Sequence, residues 1–204
     1  EGGTCIVLKE SYGNAFVPFL TSHYSKIIVV DPRASWLAMH AEYHFQIRPG
    51  TDAAMVLAMM KRIVDEGHVD EDYIRNYTNL AFLVDVESKM NVMDGENYLV
   101  WDEAAGAAVP VAPIPAENKP AYPSVQFNPD MPEACVMPDG AALYGEFQIE
   151  VDGATVTVKP GYQLLIESFE PWTPEAASEI CEVPAENIIK AATTYATRVD
   201  PSTG

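Results

Sequence analysis

The sequence predicts an α/β fold: a parallel-sheet core, then an irregular β insertion, then C-terminal helices. Three observations carry this expectation. Two short apolar runs rich in β-branched residues, Cys5-Ile6-Val7-Leu8 and Lys26-Ile27-Ile28-Val29-Val30, read as buried parallel strands. A strongly amphipathic stretch follows over residues 52–66. From Thr78 the texture changes to short strands between turn signals, and it returns to helix near the end. With 48% apolar residues among 204, the chain holds enough material for a sizeable core.

The elements follow in order. Phe16 to Tyr24 has apolar residues at helical spacing, with Pro18 placed in its first turn. Strand, Gly-containing loop, helix and strand make one βαβ unit, and Pro32 stops the second strand after Asp31. Ala34 to Ala41 reads as a short helix and Phe45-Gln46-Ile47 as a short strand. Arg48-Pro49-Gly50-Thr51-Asp52 is a turn whose Thr51 or Asp52 caps the next helix. In that helix Ala53, Val56, Leu57, Met60, Ile63 and Val64 share a stripe, and Gly67 ends it. Met55, Met59 and Met60 read as core filler. Asp70 caps a further helix through Tyr77.

Beyond it, Phe82-Leu83-Val84, Tyr98-Leu99-Val100-Trp101, Phe147-Gln148-Ile149-Glu150 and Ala154 to Val158 read as strands. The last two form a hairpin across Val151-Asp152-Gly153. The proline-rich stretch from Pro110 to Pro138 reads as an irregular surface excursion. Thr173-Pro174 opens a helix to about Ile180, and Pro184 opens another with Ile188, Ile189, Ala192 and Tyr195 on one face. Trp36, Trp101 and Trp172 read as core aromatics. Three parts result: residues 1–77, an insertion over 78–160 and a helical return over 161–204. The chain begins at Glu1 without Met and stops just after a helix, so it reads as a fragment of a longer protein.

Charge narrows the function classes. Thirty acidic residues against 12 basic ones give a net charge of −18, which disfavours binding to a nucleic-acid backbone. No apolar run reaches the length of a membrane span. Residues 1–75 carry a net −3 and residues 76–204 a net −15, so an anionic ligand meets least repulsion in the first part. Cys5, Cys135 and Cys181 lie too far apart for a local zinc or iron–sulfur motif and read as idle thiols.

The two turns at Asp31-Pro32-Arg33 and Arg48-Pro49-Gly50-Thr51-Asp52 are the best candidate site. Ligands of open parallel sheets bind at the carboxyl ends of strands. Asp31 lies about 20 residues past the loop after strand one, the spacing of a ribose-binding acid in a nucleotide-binding, Rossmann-like core. Arg33 offsets a phosphate charge, Gly50 admits close backbone approach, and Thr51 with Asp52 puts a hydroxyl, a carboxylate and helix N–H groups at one point. A carboxylate there suits the N1–H and exocyclic amine of guanine. The plain alternative makes Asp31-Pro32 a strand-end turn and Thr51-Asp52 only a cap.

Ile28-Val29-Val30-Asp31-Pro32-Arg33, Ile47-Arg48-Pro49-Gly50-Thr51-Asp52-Ala53-Ala54 and Val69-Asp70-Glu71-Asp72-Tyr73-Ile74 together resemble the molybdopterin oxidoreductases of the dimethyl-sulfoxide-reductase type. Tyr98-Leu99-Val100-Trp101-Asp102, Trp172-Thr173-Pro174-Glu175 and Val183-Pro184-Ala185-Glu186-Asn187-Ile188 extend the likeness, which covers about residues 28–198. The resemblance implies a segment of a molybdenum-dependent catalytic subunit that grips a molybdopterin guanine dinucleotide. It implies that Asp31, Arg33, Gly50, Thr51 and Asp52 contact the guanosine end. The family's iron–sulfur cysteines and molybdenum ligand match nothing here, so the segment alone is expected to be inactive. Implied partners are an iron–sulfur electron-transfer subunit, together with the remainder of the catalytic subunit. Bacterial cytoplasm and cell envelope both stay open, since a twin-arginine signal would lie upstream of Glu1.

Residues 1–33 look instead like the bacterial DHHW family of SGNH-hydrolase-like proteins, with Glu10-Ser11-Tyr12 where that family has Asp-Ser-Tyr. This supplies an alternative, a serine esterase or acyltransferase remnant in which Ser11 is the nucleophile and His23, His40 or His44 the base.

Overall fold

A computed structural model describes residues 3–8, 24–113 and 135–197. The chain divides into two compact units, residues 1–69 with 168–204, and residues 70–167.

In the first unit β1 (Gly3–Leu8), β2 (Tyr24–Val30) and β3 (Tyr43–Phe45) form one sheet in the order β1-β2-β3, parallel at both pairings. Alternation along β2 serves two faces. Ile27 and Val29 pack on Leu37 and Ala38 of α1 (Trp36–His40). Ile28 and Val30 join Phe45 and Ile47 in the main core. A strand covered on both faces explains the unbroken apolar run. α2 (Asp52–Asp65), α5 (Pro174–Cys181) and α6 (Ala185–Thr197) supply the other half of that core.

Here the predicted stripes shift. In α2 the buried residues are Ala54, Met55, Ala58 and Met59, while Val56 and Met60 reach the surface. In α6 they are Ile188, Ala191, Ala192 and Thr194, and Tyr195 is exposed. The cause is close packing through small residues: Ala54 and Ala58 share one core with Ala177, Ala191 and Ala192. Met55 and Met59 are core filler as expected; Met60 is not. Trp36 is also no core aromatic, being exposed with its ring 4.3 Å from that of His40. The expected helix over residues 16–24 lies outside the described residues except for Tyr24, which opens β2.

The second unit is antiparallel. β4 (Leu83–Asp85), β10 (Phe147–Val151) and β11 (Ala154–Pro160) form one sheet, and β5 (Met93–Asp94), β6 (Asn97–Asp102) and β7 (Ala107–Pro110) another. β8 (Ala112–Pro113) pairs with β9 (Cys135–Val136). The β10–β11 hairpin turns at Asp152 and Gly153, both with positive φ, as a two-residue primed turn demands. α3 (Glu71–Tyr77) is capped by the Asp70 carboxylate, which accepts from the Tyr73 N–H at 2.9 Å. α4 (Gly161–Ser168) carries no cap signal, and Pro160-Gly161 disguises its start as a turn.

The mixed α/β class therefore stands. A Rossmann-like core does not follow from it: one small sheet of three strands is parallel, and the other strands among the described residues pair antiparallel. No described helix is long and apolar enough to cross a membrane.

Candidate ligand cleft at the carboxyl edge of the parallel sheet

Asp31 follows the last residue of β2 and is buried. Its Oδ1 accepts from the Arg33 N–H at 2.8 Å, its own N–H donates to the Phe45 carbonyl at 3.3 Å, and its carbonyl lies 2.9 Å from His44 Nε2. These bonds close the turn after β2 and fasten it to β3. Gln46 adds another, its Nε2 donating to the Pro32 carbonyl at 3.1 Å.

The second turn is built from its own backbone. Thr51 occupies the N-cap position of α2 without capping through its side chain, and its Oγ1 instead donates to the Arg48 carbonyl at 2.6 Å. The expected side-chain cap is thus replaced by a bond that closes the turn. Gly50 has φ +80°, and a Cβ there would meet nothing within 4 Å, so that side of the turn is open. Asp52 stands exposed in the first turn of α2. The Arg48 N–H donates to the Cys181 carbonyl at 2.9 Å, tying this turn to the corner between α5 and α6.

A cleft of about 510 Å³ opens where the turns meet that corner, lined by Pro32, His44, Gln46, Arg48, Glu182 and Asn187 among others. The two sequence-predicted turns therefore border one cavity. Asp31 and Arg33 flank its lining residue Pro32, and Gly50 follows its lining residue Pro49. The motifs do not point to His44, Gln46 or Glu182 as residues of a nucleotide site; Arg48 lies in a candidate turn and Asn187 in a family-like stretch, but the sequence assigns neither a ligand contact. Glu182 and Asn187 arrive from more than 130 positions away, which no local pattern signals.

The electrostatics of this edge differ from the rest of the unit. Lys61 pairs with Asp65 and Glu170, and Arg62 with Glu66. By contrast the side chains of Arg33 and Arg48 have no hydrogen-bond or ion-pair partner among the described residues. In a chain with 30 acids and 12 cations, two guanidinium groups left without a carboxylate mark a place suited to an anion. Among the described residues no cluster of His, Cys, Asp or Glu could hold a metal ion.

Comparison with known proteins finds relatives of this chain among the oxidoreductases. The chain is 28% identical to dopamine dehydroxylase of Eggerthella lenta over 87% of its length and 24% of that protein. It is 29% identical to the sulfite dehydrogenase of Allochromatium vinosum, covering 80% of this chain and 16% of the relative. The alpha chain of perchlorate reductase from Dechloromonas aromatica is 28% identical over 85% of this chain and 20% of its own. No protein-family model matches. The chain belongs to the molybdopterin oxidoreductases of the dimethyl-sulfoxide-reductase type, and it spans about a fifth of the length of the curated relatives it matches.

The likeness of residues 1–33 to the DHHW family finds no support in these comparisons, and neither does the serine-hydrolase alternative. Ser11 and His23 lie outside the described residues. His40 is exposed beside Trp36, and His44 is engaged with the Asp31 carbonyl.

Proposed function

We propose that this chain is the segment of a molybdenum-dependent oxidoreductase that holds the guanosine end of a molybdopterin guanine dinucleotide. The observation that carries the reading is a pair of arginines, Arg33 and Arg48, whose side chains have no partner among the described residues, at the carboxyl edge of the parallel sheet beside a cleft of ligand size. The donor set fits a nucleotide. Arg33 is suited to phosphate, the open side of Gly50 admits close approach, and Thr51 with the carboxylates of Asp31 and Asp52 suits ribose hydroxyls and the donor edge of guanine. When bound, the cofactor supplies redox chemistry at molybdenum, whose ligands belong to parts of the enzyme beyond this segment. An iron–sulfur cluster upstream and an iron–sulfur electron-transfer partner belong to the same proposal.

The test is made in the intact enzyme, by measuring bound molybdenum and guanine nucleotide per protein. A carboxylate accepting from two donors is worth about 1.5–3 kcal/mol per charged hydrogen bond, so Asp52→Ala should lower cofactor content about tenfold or more. Full content in both Asp52→Ala and Asp31→Ala would reduce these acids to turn and helix-start residues.

A further inference from the structure

We infer that the corner between α5 and α6 is the second wall of the nucleotide site, with Glu182 reading the hydrogen-bond donor edge of the base and Asn187 assisting it, opposite Arg48. The inference rests on the reading above and adds to it two residues, Glu182 and Asn187, to which the sequence assigned no ligand contact.

Four observations lead there. Glu182 and Asn187 line the same cleft as Arg48, so both walls face one cavity. The walls are held in fixed register, because the Arg48 N–H donates to the carbonyl of Cys181, which is fully buried and immediately precedes Glu182. The side chains of Glu182, Asn187 and Arg48 all lack hydrogen-bond and ion-pair partners among the described residues, although elsewhere in this unit acids and bases pair readily. Finally, Glu182 sits at φ +63° and ψ +13°, a left-handed conformation at the α5 C-cap where glycine is the ordinary choice. A glutamate there strains the backbone, and its side chain makes no bond in return within the described chain. Strain kept at the rim of a cavity points to a ligand contact.

The chemistry separates along the cleft. The guanine edge carries three donor hydrogens, the N1–H and two on the exocyclic amine, so a second carboxylate beside Asp52 still finds one to accept, and adenine lacks the N1–H. An amide both donates and accepts, and so can meet the base or the ribose. Arg48, a planar cation without a carboxylate, is left for a phosphate or the acceptor edge of the base.

The experiment compares Glu182→Gln, Glu182→Gly, Asn187→Ala, Asp31→Asn and Asp52→Ala in the intact enzyme. Each is assayed for released guanine nucleotide per protein and for thermal unfolding. Expected is about a tenfold loss of nucleotide in Glu182→Gln and a smaller loss in Asn187→Ala. Glu182→Gly should lose nucleotide as fully, yet its nucleotide-free form should melt no lower than wild type stripped of nucleotide, because glycine relieves the left-handed backbone. Full nucleotide content in the Glu182 and Asn187 variants, with loss in the Asp variants, overturns the inference and leaves the reading standing. Retention in all five overturns both. Loss in the Glu182 variants with retention in both Asp variants supports the corner and removes the two aspartates from the site. Lowered melting of stripped Glu182→Gly would make Glu182 a structural cap and also overturn the inference.

Discussion

On the proposed reading Asp31 has two jobs, which a single substitution confounds. Its carboxylate accepts from the Arg33 N–H, which closes the turn after β2 whatever else it binds. Asp31→Ala should therefore cost about 0.5–1.5 kcal/mol of stability as well as any ligand contact, whereas Asp31→Asn keeps an oxygen for that bond and removes only the charge. Asp52, exposed at the start of α2, has no such bond among the described residues, and its removal should change melting little. In the second unit Tyr144 donates to Glu71 Oε1 at 2.8 Å, and burial, followed by that bond, holds its phenol well above the ordinary value of 10. The folded state thus prefers the neutral phenol. Its contribution is complete below pH 10 and is lost as pH rises from there through the higher folded value. Urea unfolding between pH 8 and 11 should show stability falling at the alkaline end, and Tyr144→Phe should flatten that fall. An unchanged slope in the variant would assign the loss to other groups.

Helix α2 shows what the sequence discloses at the scale of an element and what it withholds. The boundaries of α2, α3 and α5 were legible because caps, prolines and glycine are local signals, down to Thr173 Oγ1 accepting from the Ala176 N–H at 3.2 Å. The buried stripe of α2 was not. Hydrophobic periodicity favours the largest side chains, but a helix packed on the alanines of α5 and α6 turns its own alanines inward and leaves Val56 and Met60 outside. The same limit hid the second wall of the cleft. Asp31 and Arg48 announce themselves in turn motifs, whereas Glu182 joins them only through tertiary packing. The corrected stripe is testable. Ala58→Leu should cost about 1–3 kcal/mol by overpacking a fully buried position. Met60→Ala should cost under about 1 kcal/mol, since part of that side chain is already in water. Equal costs in chemical denaturation would restore the stripe read from periodicity.

Charge governs the molecule as a whole. Residues 70–167 hold 17 acidic groups against 4 basic ones, a net of −13 out of the −18 for the chain. Two of the three described cations there are committed locally: Arg75 lies between Glu71 and Asp72, and Lys159 reaches Glu146 at 3.3 Å and Glu167 at 2.9 Å. Those pairs neutralise few of the 17 acids, so the unit keeps a large excess of negative charge. At low ionic strength the repulsion acts over tens of ångströms, and near 0.15 M salt it is screened within about 8 Å. Added sodium chloride weakens the few exposed ion pairs too, but each of those is worth about 1 kcal/mol at most. The larger number of unpaired acids decides the sign. The melting temperature of the 204-residue chain should rise between about 0.01 and 0.3 M salt and then level off, with sodium chloride and potassium chloride equivalent because screening does not distinguish them. A melting temperature that falls over that range would mean that the ion pairs around Arg75 and Lys159 outweigh the excess of acid.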